Sequence, residues 1–290
     1  MPAGRYAPSP SGDLHLGNLR TAVLAWLFAR RSGREFVLRV DDLDRVREGA
    51  EQRQLEDLAA LGLDWDGAVL HQSERLEAYR SAIDGLTESG LTYECFCTRR
   101  EILDAPTAPH HPPGAYPGTC RNLTDAERSL RRASRPAAIR LRSDVTAWTV
   151  HDVVHGSWTG AVDDLVLRRG DGVPAYNLTV VLDDAHQGVD QVVRGDDLLS
   201  STPRQAYLMH LLGLPVPEYV HVPLVLNTAG ARLAKRDGAV TFRELTAAGV
   251  DPFTLIASSL SLQGGSLRDL LPRFDPRHLP AEPWVFEPPG

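Results

Sequence analysis

Apolar positions along the chain recur in short runs separated by polar turns, and their spacing switches between strand-like and helix-like. Arg5 to Ala7 closes a first strand, and Pro8 to Gly12 forms a tight polar turn. An amphipathic stretch from Leu16 to Arg31 follows, with Leu19, Val23, Leu27 and Ala29 on one side and Ser32-Gly33 at its end. Glu35 to Val40 reads as a buried strand. That completes a strand–helix–strand unit, which predicts a parallel sheet with a right-handed crossover. Helices are predicted from about Glu48 to Leu61 and from Ser73 to Ser89, ended by Gly62 and Gly90.

The texture changes after Gly90. Leu91 to Cys95 is a short strand, and Thr98 with Glu101 forms a capping box for a brief helix. Ala105 to Thr119 is rich in Pro, His and Gly. Thr124 and Glu127 repeat the capping box before Arg128 to Arg132, and Ala138 to Arg142 and Asp164 to Arg169 read as strands around a polar middle. Strong apolar character returns at Leu178 to Leu182 and ends in Asp183-Asp184. Val192-Val193 is a buried strand with Arg194 at its carboxyl end, a helix follows near Pro203 to Leu212, and a strand near Val222 to Leu226. The pattern predicts an α/β fold: a first half over 1–94, an insertion over 95–170, a second half over 171–236, and a short helical and Pro-rich region over 237–290.

Composition narrows the class. At 290 residues the chain can bury a good core, and its 42% apolar and 24% charged content is ordinary for a soluble protein. No apolar run approaches a membrane span and no signal peptide precedes the first strand, so a cytoplasmic protein without a membrane partner is expected. Three cysteines give no disulfide framework, which suits a reducing compartment. The net charge of −7 argues against a general nucleic-acid binder but leaves room for a local basic face.

Candidate chemistry gathers at the strand ends. A strand that turns through Ser, Pro and Gly into a helix leaves backbone N–H groups and the positive end of the helix dipole on the turn, which suits a phosphate. His15 and Asn18 add side-chain donors there, with Gly17 between them. Arg5 and Arg194 end two separate strands and can meet a carboxylate as bidentate forks. Asp41, Asp42 and Asp44 follow the second strand at the edge where ligands collect in open α/β sheets, with ordinary loop acids an equal reading for Asp42 and Asp44. Arg128, Arg131, Arg132, Arg135, Arg140 and Arg142 read either as an RNA-phosphate contact or as a solvated face. Cys95, Cys97 and Cys120 supply three ligands of a four-ligand zinc site, with His110, His111 and Tyr116 between them as candidates for the fourth. Chemistry alone favours a histidine, since a phenol must first lose a proton near pKa ~10. Three reduced, partly buried cysteines are the alternative.

These motifs carry a resemblance. His15-Leu16-Gly17-Asn18 resembles the HIGH signature of class I aminoacyl-tRNA synthetases, and Arg5-Tyr6-Ala7-Pro8-Ser9-Pro10-Ser11-Gly12 resembles the run that precedes it in the glutamyl and glutaminyl branch. The match continues through Leu38 to Asp44, Val193 to Leu198 and Arg232-Leu233-Ala234-Lys235-Arg236, over nearly the whole chain. The resemblance implies a Rossmann-type catalytic domain with an inserted zinc-containing subdomain. It implies ATP binding at His15, Gly17, Asn18 and Lys235, with Mg²⁺ accompanying the ATP, and catalysis by His15, Asn18 and Lys235. It implies a glutamate pocket of Arg5, Tyr6, Ala7, Pro8, Ser9, Asp41, Tyr176 and Arg194. Where Asp41 stands the branch has Glu; Arg232 and Ala234 also depart from the KMSKS motif, Arg232 keeping a charge and Ala234 losing a hydroxyl.

The C-x-C…Y-x-x-x-C pattern looks like the zinc signature of the glutamyl-queuosine branch, which implies a structural Zn²⁺ on Cys95, Cys97, Tyr116 and Cys120. About 55 residues follow Lys235, too few for the large anticodon-reading domain of discriminating glutamyl-tRNA synthetases. The chain therefore resembles their truncated relatives, which attach glutamate to queuosine in tRNA(Asp). The expected partners are ATP, L-glutamate and that tRNA, and a monomer is expected. The alternatives are a fragment of a discriminating synthetase, a non-catalytic RNA-binding paralogue, and another nucleotidyltransferase acting on a small acid.

Overall fold

The computed structural model describes residues 1–103, 116–233 and 240–288. Lys235, Ala234, Arg236, His110 and His111 lie outside the described residues. β1 (Ala3–Tyr6), α1 (Leu16–Arg31) and β2 (Glu35–Val40) form the expected unit, with β1 and β2 parallel and Arg5 opposite Val37. α1 stops because Gly33 takes a left-handed conformation at φ +72°, which a side chain would resist. α2 (Ala50–Ala60), the short β3 (Leu70–His71), a 3₁₀ turn over Gln72–Arg75 and α3 (Leu76–Glu88) complete the first half.

The next stretch holds β4 (Thr92–Cys95), α4 (Arg99–Leu103), α5 (Asp125–Arg132), β5 (Ala138–Leu141), β6 (Ala147–Asp152), β7 (Gly156–Ala161) and β8 (Val166–Arg168). β4, β5 and β8 make a separate antiparallel sheet. The polar middle between β5 and β8 is an antiparallel hairpin, β6–β7, and it extends the main sheet instead of this smaller one. Its junction is Asp152 opposite Tyr219.

α6 (Tyr176–His186), β9 (Val189–Gly195), a 3₁₀ turn over Asp196–Ser201, α7 (Thr202–Leu211), β10 (Glu218–Val222) and β11 (Val225–Leu226) return the chain to the main sheet. Among the described residues that sheet has seven strands in the order β3-β2-β1-β9-β10-β6-β7, parallel up to the final hairpin. α8 (Phe242–Ala247), α9 (Pro252–Ser259) and α10 (Leu267–Leu270) pack against α1 in one core with Phe28, Leu245, Ile256 and Phe274. A second core joins α3, α6 and α7 through Tyr79, Leu178, Val181 and Leu208. The Pro-rich tail folds back: β12 (Trp284–Val285) pairs with β11, and Phe286 is buried in the α1 core.

Candidate active site

The carboxyl ends of β1 and β9 lie side by side where the strand order reverses, and a cavity of about 480 Å³ opens there. That crevice is where ligands bind in doubly wound sheets. Its walls bring together Arg5, Tyr6, Ala7, Pro8 and Ser9 at the end of β1, His15, Gly17 and Asn18 at the start of α1, Asp41 after β2, Tyr176 at the start of α6 and Arg194 near the end of β9. Arg232 is on the same wall and pairs with Asp197 at 2.5 Å.

The turn after β1 is held from three sides. The N–H of Asp41 donates to the Pro8 carbonyl at 3.0 Å, and that of Arg47 to Pro10 at 2.8 Å. Buried Gln54, on α2, donates to the carbonyls of Ser9 and Gly12 at 3.1 and 2.6 Å. His15 then caps α1 in the role usually taken by Ser or Asp. Its Nδ1 accepts from the Asn18 N–H at 3.3 Å, and Asn18 Oδ1 accepts from the His15 N–H at 3.3 Å. Because Nδ1 accepts, the neutral ring carries its proton on Nε2. A Cβ at Gly17 would lie 3.1 Å from the imidazole, so glycine there lets the ring lie over the first turn. The expected row of open N–H groups is shorter than the sequence implies. The Leu16 N–H donates to Val240 and the Asn18 N–H to His15, so that of Gly17 alone, among the described residues of that turn, has no partner.

Beneath the turn lies a buried charge cluster. Arg39 is fully buried and donates to Asp41 at 2.8 Å and Asp184 at 2.6 Å, with Asp183 at 3.9 Å. Burial works against the Arg39 charge, but the three carboxylates hold its pKa well above the ordinary guanidinium value. Burial also pushes the Asp41 carboxyl up, against the pull of Arg39. Arg5 donates to the Val193 carbonyl at 3.0 Å and sits 3.5 Å from Asp184. Burial lowers the Arg5 pKa; Asp184 opposes this, while Arg39 and Arg194 add to it. Arg194 donates from Nε to His221 at 3.1 Å and from Nη2 to Thr202 at 2.8 Å. Asp183 is satisfied elsewhere, by Arg75 at 2.7 Å and by Tyr79 and Gln72. Among the described residues, Arg5 and Arg39 meet Asp41 and Asp184, the carboxylates of Asp13 and Asp197 on the cavity wall pair with Arg53 and Arg232, and Arg5 Nε and Arg39 Nη2 are buried without hydrogen-bond partners. The imbalance suits an anionic ligand.

A second constellation forms in the smaller sheet. The sulfurs of Cys95, Cys97 and Cys120 lie within 4.8 Å of one another, with Cys97 to Cys120 at 3.6 Å. The Tyr116 hydroxyl is 3.3 Å from Cys95 Sγ and 3.9 Å from Cys97 Sγ. A tetrahedral ion with Zn–S bonds of ~2.3 Å separates its sulfurs by about 3.8 Å, so these four groups fit such an ion. Burial pushes the Cys97 thiol up to about 12 and raises the Tyr116 phenol as well, the reverse of what a divalent cation among them would do. The Arg140 guanidinium lies 3.6 Å from the centre of the Tyr116 ring, a cation–π contact.

Comparison with known proteins shows the family. Residues 3–270 match the family described as tRNA synthetases class I (E and Q), catalytic domain. A glutamyl-Q tRNA(Asp) synthetase of Nocardia farcinica is 67% identical over 98% of this chain and 93% of its own length. The chain belongs to the glutamyl-Q tRNA(Asp) synthetases. A further one, from Symbiobacterium thermophilum, is 45% identical over 98% of this chain and 95% of its own. The crystal structure of a glutamate-tRNA synthetase from Elizabethkingia anophelis superposes with a TM-score of 0.84 at 26% identity, covering 99% of this chain and 68% of that one. The fold is thus the α/β catalytic fold of class I synthetases.

Several residues of this chain have jobs that sequence reading misses or leaves open. Asp42 accepts from the Ser73 N–H and hydroxyl at 2.8 and 2.5 Å, and Asp44 pairs with Arg169 at 3.1 Å, so both tie loops together. Members of the basic stretch have partners within the chain: Arg132 with Glu94 and Arg135 with Glu101 at the surface, Arg140 with the Asp164 carbonyl and Arg142 with the Arg121 carbonyl. Arg39, Asp184 and Gln54 are site residues that sequence reading misses. The one signal was a charged residue inside an otherwise apolar strand, which at Arg39 required a buried counter-charge. A larger cleft of about 1540 Å³ adjoins the first cavity, walled by Arg99, Arg140, Trp158, Arg169 and Arg204, and Tyr176 lines both.

Proposed function

We propose that this chain activates L-glutamate with ATP and transfers it to queuosine in the anticodon of tRNA(Asp). The observation that carries the first half is the joining, in one cavity, of a glycine-bearing helix N-terminus with an excess of guanidinium groups. The names of the relatives support the second half. Arg194 and Arg5 hold the glutamate γ-carboxylate, and Asp41 with Tyr176 meets its ammonium end. The α-carboxylate oxygen attacks the α-phosphorus of ATP, forming a P–O bond as the bond to the leaving pyrophosphate breaks. No protein nucleophile is needed; placement and charge stabilisation carry the step. His15 and the Gly17 N–H serve the phosphates; Lys235 would add its charge there as the motif implies, and Mg²⁺ would accompany the ATP. A hydroxyl of the queuosine cyclopentene diol then attacks the mixed anhydride, and AMP leaves. The larger cleft gives the nucleoside a route to the adenylate past Tyr176.

The test is glutamate-dependent exchange of labelled pyrophosphate into ATP with no RNA present. Exchange supports activation. Silence with intact ATP binding would favour a binding paralogue.

Cys95, Cys97, Tyr116 and Cys120 would hold a structural zinc ion, which ties the smaller sheet to the segment carrying Tyr116. Elemental analysis should find about one equivalent in the native protein and little in Cys97→Ser, with a lower melting temperature. A metal-free native protein of unchanged stability would remove this assignment.

A further inference from the structure

Arg194 is held by a relay that reaches outside the cavity. Its Nε donates to His221 Nε2 at 3.1 Å, and His221 Nδ1 lies 2.7 Å from Asp152 Oδ2. His221 and Asp152 are fully buried and neither lines the cavity. The register sets this up, since His221 stands opposite Arg194 across β10 and β9, and Asp152 stands opposite Tyr219 where β6 joins β10. The other Asp152 oxygen accepts from the N–H groups of Val154 and His155 at 2.9 Å each, which turns the carboxylate toward the imidazole.

We infer that Asp152 and His221 are positioning residues for glutamate binding: Asp152 holds the imidazole proton on Nδ1, so that Nε2 stays an acceptor that aims the Arg194 guanidinium into the cavity. The other tautomer, or the imidazolium, would put an N–H against the N–H of Arg194. Thr202 completes the clamp at 2.8 Å from Arg194 Nη2 and 3.0 Å from His221 Nε2. With Nε and Nη2 anchored, Nη1 makes no hydrogen bond among the described residues and is the edge offered to ligand. Burial lowers the His221 pKa, with Arg194 adding to it and the Asp152 hydrogen bond opposing, so the ring is neutral at physiological pH. Burial works against the Asp152 charge as well, but the bonds from His221, His155 and Val154 hold it below the ordinary carboxylate range.

This inference rests on the reading that Arg194 binds the glutamate side chain, and the two can fail separately. In pyrophosphate exchange with the full chain, His221→Phe keeps an aromatic ring beside Tyr219 but loses the acceptor. It should raise the KM for glutamate roughly ten- to a hundredfold, the loss of one hydrogen bond to a charged group, with the KM for ATP unchanged. His221→Gln, whose Oε1 reaches the position of Nε2, should recover most of that loss. Asp152→Asn should raise the glutamate KM in the wild-type background and change nothing further in His221→Gln. Thermal melts report folding of each variant, and His221→Gln carries the test if another variant does not fold. An unchanged glutamate KM in His221→Phe, or no recovery in His221→Gln, would overturn the relay. If Arg194→Ala leaves the glutamate KM unchanged, the pocket reading itself falls.

Discussion

Arg194→Ala is expected to collapse glutamate-dependent pyrophosphate exchange while ATP binding stays near normal. Arg194 is 5% exposed, so a carboxylate bound to it is removed from water. Without the guanidinium that carboxylate is left with Arg5, whose other contacts are already Val193 and Asp184. Breaking one side of a buried charge pair costs about 3–5 kcal/mol, or roughly two to three orders of magnitude in kcat/KM for glutamate. The end of the cavity proposed for the phosphates is built from α1 and the turn, and among the described residues it shares no hydrogen bond with Arg194. Exchange rates over a range of glutamate concentrations, with ATP binding measured separately by calorimetry, check the split. Equal loss of both would make Arg194 a structural residue.

Arg39→Leu should cost the most stability. The substitution leaves Asp41 without a cationic partner and Asp184 with Arg5 alone at 3.5 Å, both almost fully buried. A stranded buried carboxylate must be protonated or pull in water, and the penalty is about 3–5 kcal/mol. Urea denaturation at neutral pH should show the loss as a lower midpoint with an unchanged slope. The deficit should shrink as the pH falls toward the raised Asp41 pKa, because protonating Asp41 removes the uncompensated charge. A change below ~1 kcal/mol would mean that the cluster is neutralised without Arg39.

Much of this was legible in the chain. The turn from Pro8 to Gly12 sat between a short strand and a long amphipathic helix, so the start of α1 just after it followed from spacing. Arg5 and Arg194 each ended an apolar strand, and a parallel sheet brings such ends to one edge. The β6–β7 hairpin was not legible as part of the main sheet, because its inward positions run Trp148, Val150, Asp152 and the last of these is charged. The partner His221, far along the chain, together with the N–H groups of Val154 and His155, makes that Asp an interior residue. β10 was obscured for the same reason: a buried histidine interrupts its apolar pattern, and the predicted strand began only at Val222. Leu178 to Leu182 was too short an apolar run to tell helix from strand, and it lies inside α6. The Pro-rich tail gave no periodic signal, yet two of its residues complete a parallel pair with β11.

The acceptor is the central claim, and direct transfer tests it. Labelled glutamate, ATP and this protein should label tRNA(Asp) from cells that make queuosine, and the label should be absent on tRNA(Asp) from cells that cannot. Oxidation of the cyclopentene diol by periodate, with the 3′ end protected by prior aminoacylation, should abolish labelling. Label on unmodified tRNA(Glu), with none on queuosine-bearing tRNA(Asp), would contradict the account and make the chain a synthetase for the 3′ terminus.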